Sequence, residues 1–154
     1  MTDMRRITLD EANTMIDTAI AKGHELDLGK LSLVVLDDGG HPIAMKRDDG
    51  SEFLRPKIAH AKAWGALGMG LASRALLAKA QKLPVFMGAL SQLSDGGLVA
   101  LPGGVLIRDS DGSVMGAIGV SGDLSDTDEV CAVAGVEATG LQADIGDNPD
   151  WLRP

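Results

Sequence analysis

The sequence predicts one α+β domain in which about five antiparallel strands are flanked by helices. Strand-like runs alternate with tight glycine-rich turns, helical runs open and close the chain, and 154 residues suit a single core. Strands joined by hairpins rather than by regular helical crossovers argue against a doubly wound parallel sheet.

Thr8-Leu9-Asp10-Glu11 has the form of a capping box, and Ala12, Met15, Ile16, Ala19 and Ile20 follow at helical spacing. Helix one is therefore expected over about residues 9–22, ending before Gly23. Leu31 to Leu36 is a β-rich run, and Asp37-Asp38-Gly39-Gly40 supplies a hairpin turn before a second strand from Pro42 to Arg47. Pro56 suits the first turn of a second helix through Trp64, which Gly65, Gly68 and Gly70 weaken, with a break near Gly68–Gly70. Ser73 is expected to cap a short helix, Arg74 to Lys82, stopped by Pro84.

Beyond it lies a glycine-rich middle, Gly88 to Gly104. Leu98-Val99-Ala100-Leu101 and Val105-Leu106-Ile107-Arg108 read as two short strands joined through Pro102-Gly103-Gly104. Asp109-Ser110-Asp111-Gly112 marks another hairpin, and Val114 to Ser121 is the last strand. Ser125-Asp126-Thr127-Asp128 places a cap and acidic residues at the start of a closing helix carrying Val130, Val133, Ala134 and Leu141.

Composition narrows the function classes. Twenty-two acidic against fourteen basic residues leave a formal charge of −8, whereas nucleic-acid binders concentrate Lys and Arg to neutralise phosphates. Nucleic acid is an unexpected partner. The N-terminus lacks a signal peptide's apolar stretch, and charged residues and glycines break every apolar run before it reaches membrane-span length. A cytoplasmic protein with no membrane partner is expected, and lone Cys131 fits a reducing compartment.

The glycine series Gly116-x-x-Gly119-x-x-Gly122 and Gly65-x-x-Gly68-x-Gly70 lack the strand–turn–helix context of a dinucleotide fingerprint, so close packing is the expected use of both. The turn Ser121-Gly122-Asp123 differs, because its N–H groups and hydroxyl lie where an acidic ligand can meet them. No HxxxH, HExxH or CxxC spacing is present, so no metal site is expected. His24 and His41 are expected at the surface. His60, four residues before Trp64, suits stacking, ligation or proton transfer. Arg47 and Arg108 end strands, where a planar guanidinium can meet a carboxylate or pair with the acids that follow each of them. Lys62 on helix two is either a snorkelling surface residue or a buried, reactive one. Cys131, among Val130, Ala132 and Val133, reads as a small packed side chain.

Four segments in order resemble the GlcG/HbpS-like family: Val35 to Pro42, Ile58 to Ala63, Pro102 to Val105, and above all Gly116-Ala117-Ile118-Gly119-Val120-Ser121-Gly122. The resemblance spans about residues 7 to 143. It implies a profilin-like or PAS-like fold and relatives that include haem-binding proteins and the C-terminal domain of PduO-type corrinoid adenosyltransferases. It also implies haem as a candidate cofactor, with Ser73 standing where the haem-binding branch carries an iron-contacting Thr.

The expected function is small-molecule binding, of haem or another acidic ligand, in a pocket between the sheet and helix two. Arg47, His60, Ser73, Gly103, Gly104, Arg108, Ser121 and Gly122 are its expected contacts. The alternatives are a cofactor-free isomerase or lyase of small organic-acid or aromatic catabolism, with His60 or Lys62 moving a proton, and a structural accessory subunit. Uncovered sheet edges and helix faces make a homo-oligomer the expected assembly.

Overall fold

The computed structural model describes residues 5–95 and 97–146. In chain order the elements are α1 (Leu9–Glu25), β1 (Ser32–Asp37), β2 (Pro42–Arg47), α2 (Arg55–Met69), α3 (Ser73–Lys82), α4 (Pro84–Leu93), β3 (Gly104–Arg108), β4 (Val114–Ser121), α5 (Ser125–Glu137) and β5 (Gln142–Asp144). The strands form one antiparallel sheet in the order β2-β1-β4-β3-β5.

The two-residue period of the strands divides the core between the two faces of this sheet. Leu33, Val35, Val105, Ile107, Ile118 and Val120 face Met15, Ile16 and Ala19 of α1 and Cys131, Ala132 and Val136 of α5. Val34, Leu36, Leu106 and Ala117 face Ala59, Ala63 and Ala66 of α2. Small residues on α2 let the helix lie close to the strands. A Cβ at Gly119 would stand 1.9 Å from the Ala59 carbonyl oxygen, and one at Gly116 would stand 2.1 Å from that of Leu36. The expected close packing of the β4 glycines is thus a backbone contact.

Helix one carries the capping box, Thr8 Oγ1 accepting from Glu11 N and Glu11 accepting from Thr8 N, but runs on to Glu25. Gly23 does not stop it because the position is buried against Leu31. Helix two ends as expected, with Gly70 in the left-handed conformation (φ 66°).

Five expectations about the chain beyond Gly70 need correction. Ser73 does not cap α3: the N-cap is Ala72, and Ser73 Oγ is engaged elsewhere. Pro84 both ends α3 and starts α4, a helix hidden in the sequence by Gly88 and by the absence of polar periodicity. Leu98 to Leu101 is no strand; it crosses beside α2, where Leu98 fills the space over Gly65. The fifth strand is instead β5, after a closing helix that ends at Glu137, so Leu141 packs from the connecting turn. The cap of α5 is Leu124 rather than Ser125. Among the described residues no helix is long and apolar enough to cross a membrane.

Candidate functional site

Pairing register gathers several of the sequence's candidates at one end of the sheet. Arg47, Ser32 and Ser121 stand side by side across β2, β1 and β4, and Gly103-Gly104 opens β3 beside them. Ser32 Oγ and Ser51 Oγ are 2.8 Å apart, and Arg55 Nη1 donates to Ser121 Oγ at 3.4 Å.

Beneath this end lies a buried polar network. Lys62, 2% exposed, donates from Nζ to the Val120 carbonyl at 3.0 Å and to Asp128 Oδ2 at 3.1 Å. Asp128 Oδ1 accepts from Asp123 N at 3.0 Å. Burial pushes the Lys62 ammonium below its ordinary range and the Asp128 carboxyl above its own, while their mutual attraction opposes both shifts. Glycines make room for the lysine: a Cβ at Gly103 would stand 3.0 Å from Nζ, and one at Gly104 would stand 2.3 Å from the Lys62 carbonyl oxygen. Ser73 Oγ accepts from Gly104 N at 2.7 Å and donates to Gly104 O at 3.2 Å. Arg74 then reaches buried Glu129 through Nε at 3.0 Å and also pairs with Asp126.

This network alters the roles open to the expected site residues. Lys62 is the buried alternative, and its ammonium is held in the interior by an ion pair. Ser73, Gly104 and Ser121 are buried; the first two are bonded to each other and order the start of β3, and the Ser121 hydroxyl accepts from Arg55. The Ser121-Gly122-Asp123 turn delivers its Asp123 N–H to Asp128, so the chain's own carboxylate takes the anion position there. Arg108 is at the opposite end of β3, where it pairs with Asp144 at 2.8 Å and donates to Gly112 O, apart from the other candidates. Its partner is on β5 rather than in the acidic turn that follows it.

Arg47 and His60 remain open. Arg47 and Met45 pair with Ser32 and Val34, which puts them on the α2 side of the sheet, and α2 packs across β1, β4 and β3. The edge strand is left bare on that side: Met45 is 53% exposed and Arg47 is exposed without an ion-pair partner among the described residues. His60, on α2, is half-buried, one turn before Trp64, whose ring lies over Gly40 in the β1–β2 turn. His24 and His41 are exposed, and His24 Nε2 meets Asp48 Oδ2 at 2.7 Å.

Sequence reasoning missed Arg55 and the interior role of Asp128. Asp128 was read only as a charge at a helix start, and the available signal was its place one helical turn behind the Ser121-Gly122-Asp123 turn. Met45 follows from strand alternation with Arg47 once β2 is an edge. At the far end of the sheet a cleft of about 610 Å³ is lined by Arg5, Asp37, Asp38, Asp109, Asp111 and Met115. Asp37, Asp109 and Asp111 there accept hydrogen bonds from their own turns. No group of three or more metal-ligating side chains occurs among the described residues.

Comparison with known proteins adds two findings. Residues 7–137 match the HbpS-like family, described as haem degrading protein HbpS-like. Solved structures share the fold: a PduOC–heme complex has a TM-score of 0.79 at 20% identity, with 93% of this chain and 100% of that one covered. A double mutant of Streptomyces reticuli HbpS gives 0.75 at 25% identity, covering 89% of each chain. Klebsiella pneumoniae protein ORFY gives 0.75 at 21%, covering 91% and 97%. No curated protein matches the sequence.

Proposed function

The chain belongs to the HbpS-like family, and from that premise we propose that it binds a small acidic ligand with an apolar body, haem first among the candidates. The observation that carries this reading is the bare α2 side of β2, with exposed Met45 and an exposed guanidinium at Arg47 that has no ion-pair partner among the described residues. A guanidinium recognises a carboxylate through two parallel donors, and a thioether lies well against a flat conjugated surface. Arg47 is the group to meet a propionate, Met45 the apolar contact, and half-buried His60 the nitrogen within the same region.

The donor set fits haem in chemical type: a cation for propionates, a polarisable apolar surface, and an imidazole of the kind that serves as an axial ligand. When bound, haem supplies the iron chemistry. The chain's part is to hold the carboxylates and orient the ring. Ser73 does not fit an iron-contacting role, because its hydroxyl is spent on both backbone groups of Gly104. Lys62, bonded to Asp128 in the interior, is likewise unsuited to carrying a proton to a ligand.

A relative whose structure is described as a heme complex lends support, as does the family's description. The experiment is titration of the purified protein with haemin, read at the Soret band. A saturable spectrum at one haem per chain is expected; an unchanged, non-saturating haemin spectrum overturns the haem reading. His60→Ala then separates an iron ligand, whose loss changes the position of the band, from a flanking residue, whose loss does not.

A further inference from the structure

Where the chain leaves its last strand it crosses directly onto α3. Ile145 is buried in the core, and Gly146 lies so near α3 that an added Cβ would stand 2.9 Å from that of Ala75. Gly146 also lines a groove of about 560 Å³ that follows α3 past Ala75, Ala78, Lys79 and Lys82 to Leu83. The lining mixes two chemistries. Ala78 and Leu83 are exposed apolar surface, and Lys79 and Lys82 have no ion-pair partner among the described residues, in a chain of formal charge −8. Residues 147–154 follow Gly146 outside the described residues, and they begin Asp147-Asn148-Pro149-Asp150-Trp151-Leu152.

We propose that this segment docks in the groove of its own chain as a strap along α3, with Asp147 and Asp150 against Lys79 and Lys82 and Trp151 against Leu83. The position of Gly146 names the occupant. A segment that leaves the fold inside a groove meets it at an effective concentration on the order of millimolar, which a separate molecule has to match in free solution. Length agrees. From Ala75 to Lys82 the helix rises about 10 Å, while four extended residues carry the chain from Gly146 to Asp150 over about 13 Å, leaving Trp151 beyond Lys82 at Leu83. Pro149 suits this course, since a proline and the residue before it favour extended backbone. Charge agrees as well: two carboxylates come before the tryptophan in the segment, as two ammonium groups come before the leucine in the groove. Tryptophan supplies the large apolar body that an exposed leucine lacks as a neighbour. The inference goes beyond the ligand reading and does not depend on it.

Trp151 reports on the strap, and Trp64→Phe leaves it the chain's one tryptophan. In that protein Trp151 emission is expected to be blue-shifted from that of the urea-unfolded chain, with reduced quenching by acrylamide, at every protein concentration. Lys79→Glu with Lys82→Glu is expected to return both readings to the unfolded values, and adding Asp147→Lys with Asp150→Lys to restore protection. A Trp151 as exposed as in the unfolded chain overturns the proposal. So does protection lost on dilution, which puts the segment on another copy, protection that survives the lysine reversal, or protection that the charge swap fails to restore. Should Trp64→Phe fail to fold, an Ala78→Cys, Asn148→Cys protein decides, since the chain's own Cys131 is buried. An intrachain disulfide is expected, formed severalfold more slowly after the lysine reversal; an interchain bond, no bond or an unchanged rate overturns the proposal.

Discussion

Lys62 on α2 and Asp128 on α5 meet at 3.1 Å, both nearly inaccessible to water, across the end of the sheet that separates their two helices. The lysine reaches that position because residue 103 has no side chain to fill it. One buried ion pair thus ties the layer on one face of the sheet to the layer on the other.

Removing one partner of such a pair leaves an uncompensated charge in the interior. Lys62→Met is expected to cost about 3–5 kcal/mol, and Lys62→Met combined with Asp128→Asn to recover part of it, because the amide still accepts from Asp123 N without carrying a charge. Urea unfolding of both proteins measures the difference. A double variant no more stable than the single one contradicts the assignment.

Gly119→Val tests the contact between β4 and α2. A side chain there meets backbone at Ala59, which cannot rotate away, so the cost is expected at or above the upper end of the ~1–3 kcal/mol typical of overpacking. A thermal melt indistinguishable from wild type contradicts it.

Much of this architecture was legible in the sequence where one local signal decided the outcome. The Thr8–Glu11 capping box, the Asp37–Gly40 hairpin and the apolar run of Val114 to Ser121 each dictate an element without help from distant residues. The second half was harder because tertiary contacts decide there. Leu98 to Leu101 has strand composition but no strand edge to join, whereas Gln142 to Asp144, three residues with little β character, is a strand because β3 has a free edge. The site was legible in part. Arg47 and Ser121 share one end of the sheet, while Arg108 went astray because a strand end read from sequence does not say which end of the sheet it occupies. The partnership of Lys62 with Asp128, sixty-six residues apart, has no local signature.

Cys131 is expected to be chemically silent at neutral pH. Burial pushes its thiol up to about 11, above the roughly 8.5 of an unfolded cysteine. The native state therefore gains from the protonated thiol below about pH 8.5 and loses that contribution as pH rises toward 11. A thiol reagent at pH 8 should label the denatured protein fully and the native protein hardly at all, and stability of the wild type relative to Cys131→Ala should fall between pH 9 and 11. Rapid native labelling contradicts this burial.

Arg47 holds the central claim, that an acidic ligand sits on the α2 side of β2. The direct measurement is haemin titration of Arg47→Glu beside the wild type, with melting temperatures recorded for both. Reversing an exposed charge should leave the melt within a degree or two, surface changes being worth about 0.5 kcal/mol or less. Affinity, by contrast, should fall at least about tenfold, equivalent to roughly 1.4 kcal/mol, and the loss should shrink as salt is added. Equal affinity of the two proteins at low salt would contradict the account.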